Sequence, residues 1–433
     1  MIMSILDHSI TDRSDFSEES EHWDDTALLK HFYNTFSLLI DQEPVNSWYE
    51  FALKYCPYES LRDGFCSLAC IHISQKTKSL FHYKKAVQYL ENMITRLGNI
   101  LPFSDIVFSD NNLNSWQNNS ALLKKMVMEL KANADTFIQN SILIMTYIYI
   151  ILLYEIFDDG VSRLCPCLMS VFSTIVKEMK KAAVVDKLSL DYFAYQMYYN
   201  EIIMSVSSRA WRSPSCPAVF CFTSEDRSNC LKVVGCPPEI LECIHSIAEM
   251  KCRKRNSESW FTSDAALVAS YSSLRARIEA YRSYLPLDTS SLSAGSTNSI
   301  NIDSLYMLRL RIAQVWSLSA LIEATELYQV ENASNIIDKL ELELVDLLQY
   351  FEFETALEMQ MLWPIYLAAK HARLPSHRQF VCHLLTVCIN RFHSGNVLNM
   401  KNALEKAYTF GMNVSDAFDL VMPANKSSEF MFL

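Results

Sequence analysis

The sequence predicts an all-α fold, an elongated multi-helix array of antiparallel helical hairpins, and two observations carry that prediction. The chain of 433 residues contains only seven glycines, no two of them closer than sixteen positions, so tight turns are rare. Apolar residues recur at helical spacing along three blocks, 26–98, 119–256 and 303–410. Because 50% of the residues are hydrophobic and 12% are aromatic, these blocks can bury a sizeable core.

The glycine spacing also excludes three classes of catalytic or nucleotide-binding loop. A dinucleotide-binding turn, a phosphate-binding loop and a hydrolase nucleophile elbow each need two or more glycines within a few residues. The sequence contains no such group of glycines. Enzymes that depend on these loops are therefore excluded by the sequence.

The first helical block follows an acidic segment, residues 1–25, for which we predict a disordered tail. Its aromatic residues Phe16 and Trp23 leave a second interpretation open, an activation segment that folds on a partner protein. Farther along, the apolar spacing in 60–97 predicts two helices that form an antiparallel hairpin joined by Gln75–Lys78.

The second block contains the longest apolar run, the thirteen residues Ile142–Tyr154. A membrane-spanning helix needs about twenty such residues, so the run predicts a buried core helix and no membrane contact. Pro237 and Pro238 suit the start of the last helix of the block. A serine-rich linker, 285–301, precedes the third block, and 413–433 is predicted to be a C-terminal tail.

The charge distribution bears on the partners of the chain. The net charge of −11 makes the chain a poor candidate for binding nucleic acid, since neutralisation of phosphate charges dominates the affinity for nucleic acid. An acidic surface suits contacts with other proteins. One dense basic cluster stands out, formed by Lys251, Arg253, Lys254 and Arg255. Two interpretations stay open: a nuclear-import patch, or a cationic helix end that complements the helix dipole.

The cysteines and histidines do not predict a metal site or a cofactor. An N-terminus without a basic and then apolar segment favours an intracellular setting, in which most of the thirteen cysteines are buried as small hydrophobic residues. No two cysteines have the C-x₂-C spacing of zinc pairs. His371, His377 and His383 recur every six residues, which turns them about 120° apart on a helix and off any common face.

An aspartate pair, Asp158-Asp159, raises the alternative of an all-helical isoprenoid enzyme that binds magnesium and diphosphate. That chemistry needs a third carboxylate about one turn later and a second motif on a facing helix, and the sequence has neither. A helix that ends at Gly160, in the left-handed conformation, explains the same residues. We therefore predict that the chain is not an enzyme.

Five segments, in this order along the chain, resemble the fungal-specific transcription factor regulatory domain, in the second of its two large variants. In that family the helical region usually lies C-terminal to a Zn₂Cys₆ binuclear cluster. The resemblance covers 26–412, and its segments are LACIHIS with SLFHYKKAVQYLENMI, NSILIMTYIYIILLYEIFDDG, LDYFAYQMYYNEIIMSVSS, GCPPEILECIHSIAEM and QMLWPIYLAAKHARLPSHRQFV.

The last of these segments holds the family's Trp-Pro signature, Trp363-Pro364, followed by an arginine, here Arg378. The family has glycine and cysteine where this chain has Ala369 and Lys370, so the match is looser there. A proline in the middle of a helix costs about 3 kcal/mol, whereas in the first turn it costs little. We therefore predict that a new helix begins at this pair and that Trp363 closes the core behind it.

The resemblance implies a nuclear, non-enzymatic transcription regulator whose helical domain responds to a small metabolite or to a protein partner. Its partners would be the transcription machinery or other regulatory proteins, and the resemblance leaves room for a homodimer. Because the sequence lacks the Zn₂Cys₆ cluster, no direct contact with nucleic acid is expected from this chain. The alternative is an α-helical scaffold or adaptor with no sensing role. A cavity with convergent polar groups would favour the sensor, and an exposed apolar patch would favour the scaffold.

Overall fold

The computed structural model confirms the predicted all-α class. It describes residues 23–40, 48–100, 134–162, 165–182, 187–207, 234–256, 264–284, 300–353, 358, 360–421 and 429–430. These residues form α1 Asp25–His31, a π-helical turn Phe32–Phe36, α2 Ser37–Ile40, α3 Trp48–Tyr55, α4 Tyr58–Thr77, α5 Leu80–Ile100, α6 Ala134–Asp158, β1 Val161–Ser162, α7 Cys165–Ala182, α8 Lys187–Ser207, α9 Pro238–Asn256, α10 Asp264–Tyr284, α11 Ile300–Tyr328, α12 Ala333–Leu348, α13 Leu362–His371, α14 Pro375–Phe392, α15 Gly395–Phe410, α16 Val414–Val421 and β2 Glu429–Phe430.

The chain forms two compact units. The first comprises residues 1–197, 392–399 and 424–430, and the second comprises residues 198–391, 400–423 and 431–433. The sequence predicts a different division, into an acidic tail, one regulatory domain and a C-terminal tail. That division is based on sequence pattern and not on compactness, and it stays a prediction.

The first unit is built on the predicted hairpin of α4 and α5, which pack against each other and against α6. The turn between them is Lys78-Ser79, later than predicted, and Lys78 adopts the left-handed conformation (φ 53°) that ends α4. Aromatic rings fill the space beside the hairpin: Phe32 stacks on Phe65 with ring centroids 4.4 Å apart. The hairpin thus provides the frame on which the N-terminal helices pack.

Helix α6 supplies much of the core of the first unit. Every residue from Ile142 to Tyr154 is buried, so the predicted core helix is confirmed. The helix has 25 residues, and by length and composition its part Thr136–Asp158 could cross a membrane, with a mean hydropathy of 1.7. However, 78% of its most apolar stretch is buried inside the structure, which is typical of a core helix.

The C-terminus of α6 is fixed as the sequence predicts. Gly160 is left-handed (φ 76°), and its N–H donates to the carbonyl of Glu155 at 2.8 Å. The Asp158 carboxylate accepts a hydrogen bond from the Tyr83 hydroxyl at 3.1 Å, and the Asp159 carboxylate accepts one from the Val161 N–H at 2.8 Å. Both carboxylates therefore hold the end of the helix.

Histidines cluster in the interior of the first unit. His31 Nε2 lies 2.9 Å from His72 Nδ1, within hydrogen-bond distance, and the His72 ring centroid lies 5.8 Å from that of His393. Burial, reinforced by neighbouring positive charge such as Lys76, lowers the pKa of His31 to about 4 and that of His72 to about 3. Both rings are consequently neutral at pH 7.

These histidines predict an acid-labile first unit. Between about pH 6.5 and about pH 4, unfolded histidines take up protons that His31 and His72 resist in the folded state, so the free energy of unfolding falls as the pH drops. Each pKa unit is worth about 1.4 kcal/mol, so we expect a loss of several kcal/mol. Urea unfolding across this range measures it. The His72→Gln variant should flatten the profile, whereas replacing the exposed His383 with glutamine should not. An unchanged slope in the first variant would contradict the prediction.

The second unit centres on α11, against which α9, α10, α12 and α13 pack. Trp363 is 1% exposed and stacks on Trp316 of α11 with centroids 5.7 Å apart, and Tyr199 meets Trp316 edge-on. Helix α13 begins at Leu362, which places Pro364 in its first turn. Both predictions for the Trp-Pro pair are confirmed.

Three parts of the second unit differ from the sequence interpretation. Helix α10 lies between the predicted blocks, although its buried residues Tyr271, Leu274 and Ile278 have helical spacing. Helix α11 begins at Ile300, inside the predicted serine-rich linker, whose earlier residues lie outside the described ranges. The predicted C-terminal tail contains α16, which buries Phe418 among others. In each case the helix gains stability from packing that local composition does not reveal.

The described cysteines behave as predicted. None of the eight for which the structure gives a thiol environment forms a disulfide, and six of them are buried. Burial raises the pKa of the Cys56, Cys66 and Cys388 thiols to about 12, so they are protonated and unreactive at neutral pH. The side chains of the other cysteines lie outside the described residues.

Candidate functional site

A polar cavity of about 330 Å³ lies within the second unit. Four helices and one turn bound it: Glu326 comes from α11, Lys370 and His371 from α13, Arg378 from α14 and Tyr408 from α15. The turn that leads into α16 closes it. The size is at the lower end of the range for small-molecule sites, which is about 300–1,000 Å³.

The Trp-Pro signature determines which side chains of α13 reach this cavity. Since α13 starts at Leu362 and has ten residues, its last turn carries Lys370 and His371. Cations at a helix C-terminus interact favourably with the helix dipole. Ala372 then adopts an extended conformation, and Pro375 starts α14, which brings Arg378 to the same cavity after one turn.

Glu326 and Lys370 form the charged wall of the cavity. Lys370 Nζ lies 2.6 Å from Glu326 Oε2, and His371 Nε2 lies 3.4 Å from the same oxygen. Burial opposes ionisation of Glu326, but the hydrogen bonds and charges of His371 and Lys370 outweigh it and hold the pKa of the carboxyl well below its usual range. The carboxylate is thus ionised and neutralises the lysine.

Arg378 is held in one orientation by two contacts. Its Nε donates to the carbonyl of Ala372 at 2.9 Å, and its guanidinium carbon lies 5.1 Å from the ring centroid of Tyr408. The Tyr408 ring is fixed in turn, because its hydroxyl donates to the carbonyl of Ala369 at 2.8 Å. Burial raises the pKa of Tyr408, so that hydroxyl keeps its proton.

Sequence reasoning found part of this site. Arg378 was singled out by the family resemblance, and the structure brings it together with Lys370, one of the two positions where the family pattern departs. Glu326 and Tyr408 were not predicted, since they are distant in sequence from the signature and no local motif marks them. Helical spacing places them on their helices, but only the packing of α11 and α15 brings them to the cavity.

The basic cluster lies at the C-terminus of α9. The Lys251 ammonium pairs with Glu323 and also donates to the carbonyl of Val206 at 2.6 Å. Lys254 Nζ donates to the carbonyl of Leu327 at 3.0 Å, whereas Arg253 is exposed. The side chain of Arg255 lies outside the described residues. The role of the cluster as a nuclear-import patch stays a prediction. Lys251 and Lys254 also make the structural contacts given above.

The other polar groups considered from the sequence do not form a site in the described chain. His371 faces Glu326, His377 Nδ1 lies 2.8 Å from Glu341 Oε1, and His383 is exposed, so the three histidines do not converge. Among the described residues, no group of three or more histidine, cysteine, aspartate or glutamate side chains could hold a metal ion.

Comparison with known proteins gives one match. The model of the fungal specific transcription factor domain matches residues 27–407, which are nearly nine-tenths of the chain and include α11, α13, α14 and all but the last three residues of α15. No curated protein and no solved structure gives a significant match. The matched range agrees with the resemblance found in the sequence over 26–412. The chain belongs to the family of the fungal specific transcription factor domain.

Proposed function

We propose that this chain is a nuclear transcription regulator whose helical domain responds to a small metabolite or to a protein partner. The observation that carries the proposal is the family match over residues 27–407. Membership of this family indicates a transcription regulator, a generally nuclear location and a generally non-enzymatic domain. We also propose that this chain has no enzymatic activity.

Its partners would be the transcription machinery or other regulatory proteins. The net charge of −11 favours contacts with proteins over contacts with nucleic acid. To bind nucleic acid, the chain would have to overcome repulsion from the phosphate groups. DNA would then be reached through another protein or another module. A homodimer of this chain is compatible with that role. The proposed function does not involve contact with a membrane.

The polar cavity of the second unit supports a response to a small molecule. A ligand bound there would touch α11, α13, α14 and α15 at once. It would favour one packing of these helices over another by the difference between its affinities for the two. The change in packing would expose or mask the surface that a regulatory partner recognises.

The role in transcription is tested by fusing the full chain to a heterologous DNA-binding domain in a fungal host. We expect the fusion to enter the nucleus and to change the expression of a reporter with the matching operator. The DNA-binding domain alone is the control. A cytoplasmic fusion, or a nuclear fusion with no effect on the reporter and no effect of gene deletion on transcripts, would contradict the proposal and favour the scaffold.

A further inference from the structure

We propose that the cavity of the second unit binds a small molecule with a carboxylate group and a nearby hydroxyl or ammonium group. Arg378 would take the carboxylate, and Glu326 would accept the hydrogen bond of the second group. The inference rests on the proposed function, because it gives the response to a small molecule a site and a class of ligand.

Arg378 has the properties of an anchor for a carboxylate. Its Nε donates a hydrogen bond to the carbonyl of Ala372, and its planar face packs on the ring of Tyr408. The guanidinium is therefore oriented before any ligand arrives. Within the described part of the chain, no acidic side chain forms an ion pair with Arg378 and no acceptor meets its two terminal nitrogens. A guanidinium matches a carboxylate with two parallel hydrogen bonds, and fixing it in advance lowers the entropic cost of binding.

The charge balance of the cavity favours an anion. Glu326 is ionised and neutralises Lys370, which leaves the positive charge of Arg378 without a compensating carboxylate among the described residues. A cation held in a partly enclosed site attracts a counter-ion more strongly than one in bulk water. The ligand that completes the site therefore carries one negative charge at this end.

Glu326 supplies the second point of recognition. Its Oε2 accepts from Lys370 and faces His371, whereas its Oε1 has no hydrogen-bond donor within the described residues. An ionised carboxylate only accepts hydrogen bonds, so it selects a ligand group with a proton to donate. A hydroxy acid or an amino acid has both groups, and the cavity volume of about 330 Å³ suits a molecule of this size.

The test is ligand-observed NMR on the purified full chain with defined probes. The probes are L-lactate, L-malate and L-leucine, each compared with its carboxamide, together with inorganic phosphate. We expect at least one acid to bind in the millimolar range or more tightly, and its amide to bind about tenfold more weakly, because the amide has lost the charge that the guanidinium recognises.

Three variants assign the binding to the cavity. Arg378→Gln should weaken the acid about tenfold or more, and Arg378→Lys, which keeps the charge without the planar fork, should give an intermediate loss. Glu326→Gln should lower the preference for probes that carry a hydroxyl or ammonium group. Arg373→Gln is the matched control, since Arg373 lies in the preceding turn, is 65% exposed and pairs with Asp338 outside the cavity. Circular dichroism confirms that each variant is folded.

Several outcomes would overturn the proposal. They are the absence of binding by every acid at millimolar concentration, equal binding of acid and amide, unchanged binding in both Arg378 variants, and a preference for phosphate. The binding and reporter assays fail independently. Binding without a reporter effect would support the binding site but contradict the role in transcription. A reporter effect without binding would contradict the binding site alone.

Discussion

Replacing Gly395 with alanine is expected to prevent the first unit from folding. An added Cβ at the start of α15 would lie 1.6 Å from the carbonyl oxygen of Asp158 and 2.5 Å from its carbonyl carbon. These are backbone atoms, so no side-chain rotation relieves the overlap. We expect a loss above about 4 kcal/mol, which is exceptional for a single substitution.

The end of α6 cannot move aside, because the surrounding residues fix it in place. The Asp158 carbonyl accepts from Gln75 Nε2 at 2.8 Å, and Ser394 Oγ donates to the Ile156 carbonyl at 3.2 Å. Asn399 Nδ2 donates to the Asp159 carbonyl at 2.9 Å. A shift large enough to admit a methyl group would break these contacts together, and buried polar groups left without partners are costly.

Two other glycines make a graded set of controls for the urea-unfolding measurement. An added Cβ at Gly64 would meet flexible side-chain ends, Ile150 Cδ1 at 2.5 Å and Met93 Sδ at 2.9 Å, so we expect a loss of about 1–3 kcal/mol. Gly98 in α5 has nothing within 4 Å, and alanine there should stabilise by up to about 1 kcal/mol. If Gly395→Ala unfolded at the same urea concentration as Gly98→Ala, the close approach of α15 to α6 would be wrong.

The parts of the fold that the sequence predicts are those with strong local signals. Helix α6 follows from a run of apolar residues, and the hairpin of α4 and α5 follows from two adjacent amphipathic patterns. The start of α13 follows from the restricted φ of Pro364 and from the missing N–H of proline. The scarcity of glycine limits the number of tight turns, and few tight turns favour an all-α fold.

The parts that the sequence does not predict depend on contacts between distant segments. Nothing around Gly395 indicates that its missing side chain admits the backbone of Asp158, 237 positions earlier. The cavity is similar: Glu326 and Tyr408 have ordinary helical surroundings, and their shared role comes from tertiary packing. Arg378 belongs to the family signature, and a family resemblance carries information that the periodicity of one chain does not.

Replacing Glu323 with alanine is expected to destabilise the second unit by about 3–5 kcal/mol. Its carboxylate pairs with Lys251, and the two side chains are only 5% and 14% exposed. Removing the carboxylate takes this ion-pair partner away from the buried Lys251 ammonium, and breaking a buried pair on one side is costly. The matched control is Glu279→Ala, which breaks the exposed pair with Arg275 and should cost at most about 0.5 kcal/mol. Equal unfolding free energies for the two variants would contradict the importance of the buried pair.

The same pair determines how the predicted nuclear-import patch has to be tested. The Lys251→Ala variant is expected to lose nuclear accumulation through unfolding even if the cluster is no import signal, because it removes the ion-pair partner of the buried Glu323 side chain. Replacing Lys251 with methionine and Glu323 with leucine removes the charge at lower cost, since an apolar pair often substitutes for a buried ion pair without loss of stability. Arg253→Ala removes an exposed charge and is expected to leave the fold intact. If the double variant and Arg253→Ala both stay nuclear, the cluster is a cationic helix end; if both become cytoplasmic while folded, it is the import signal.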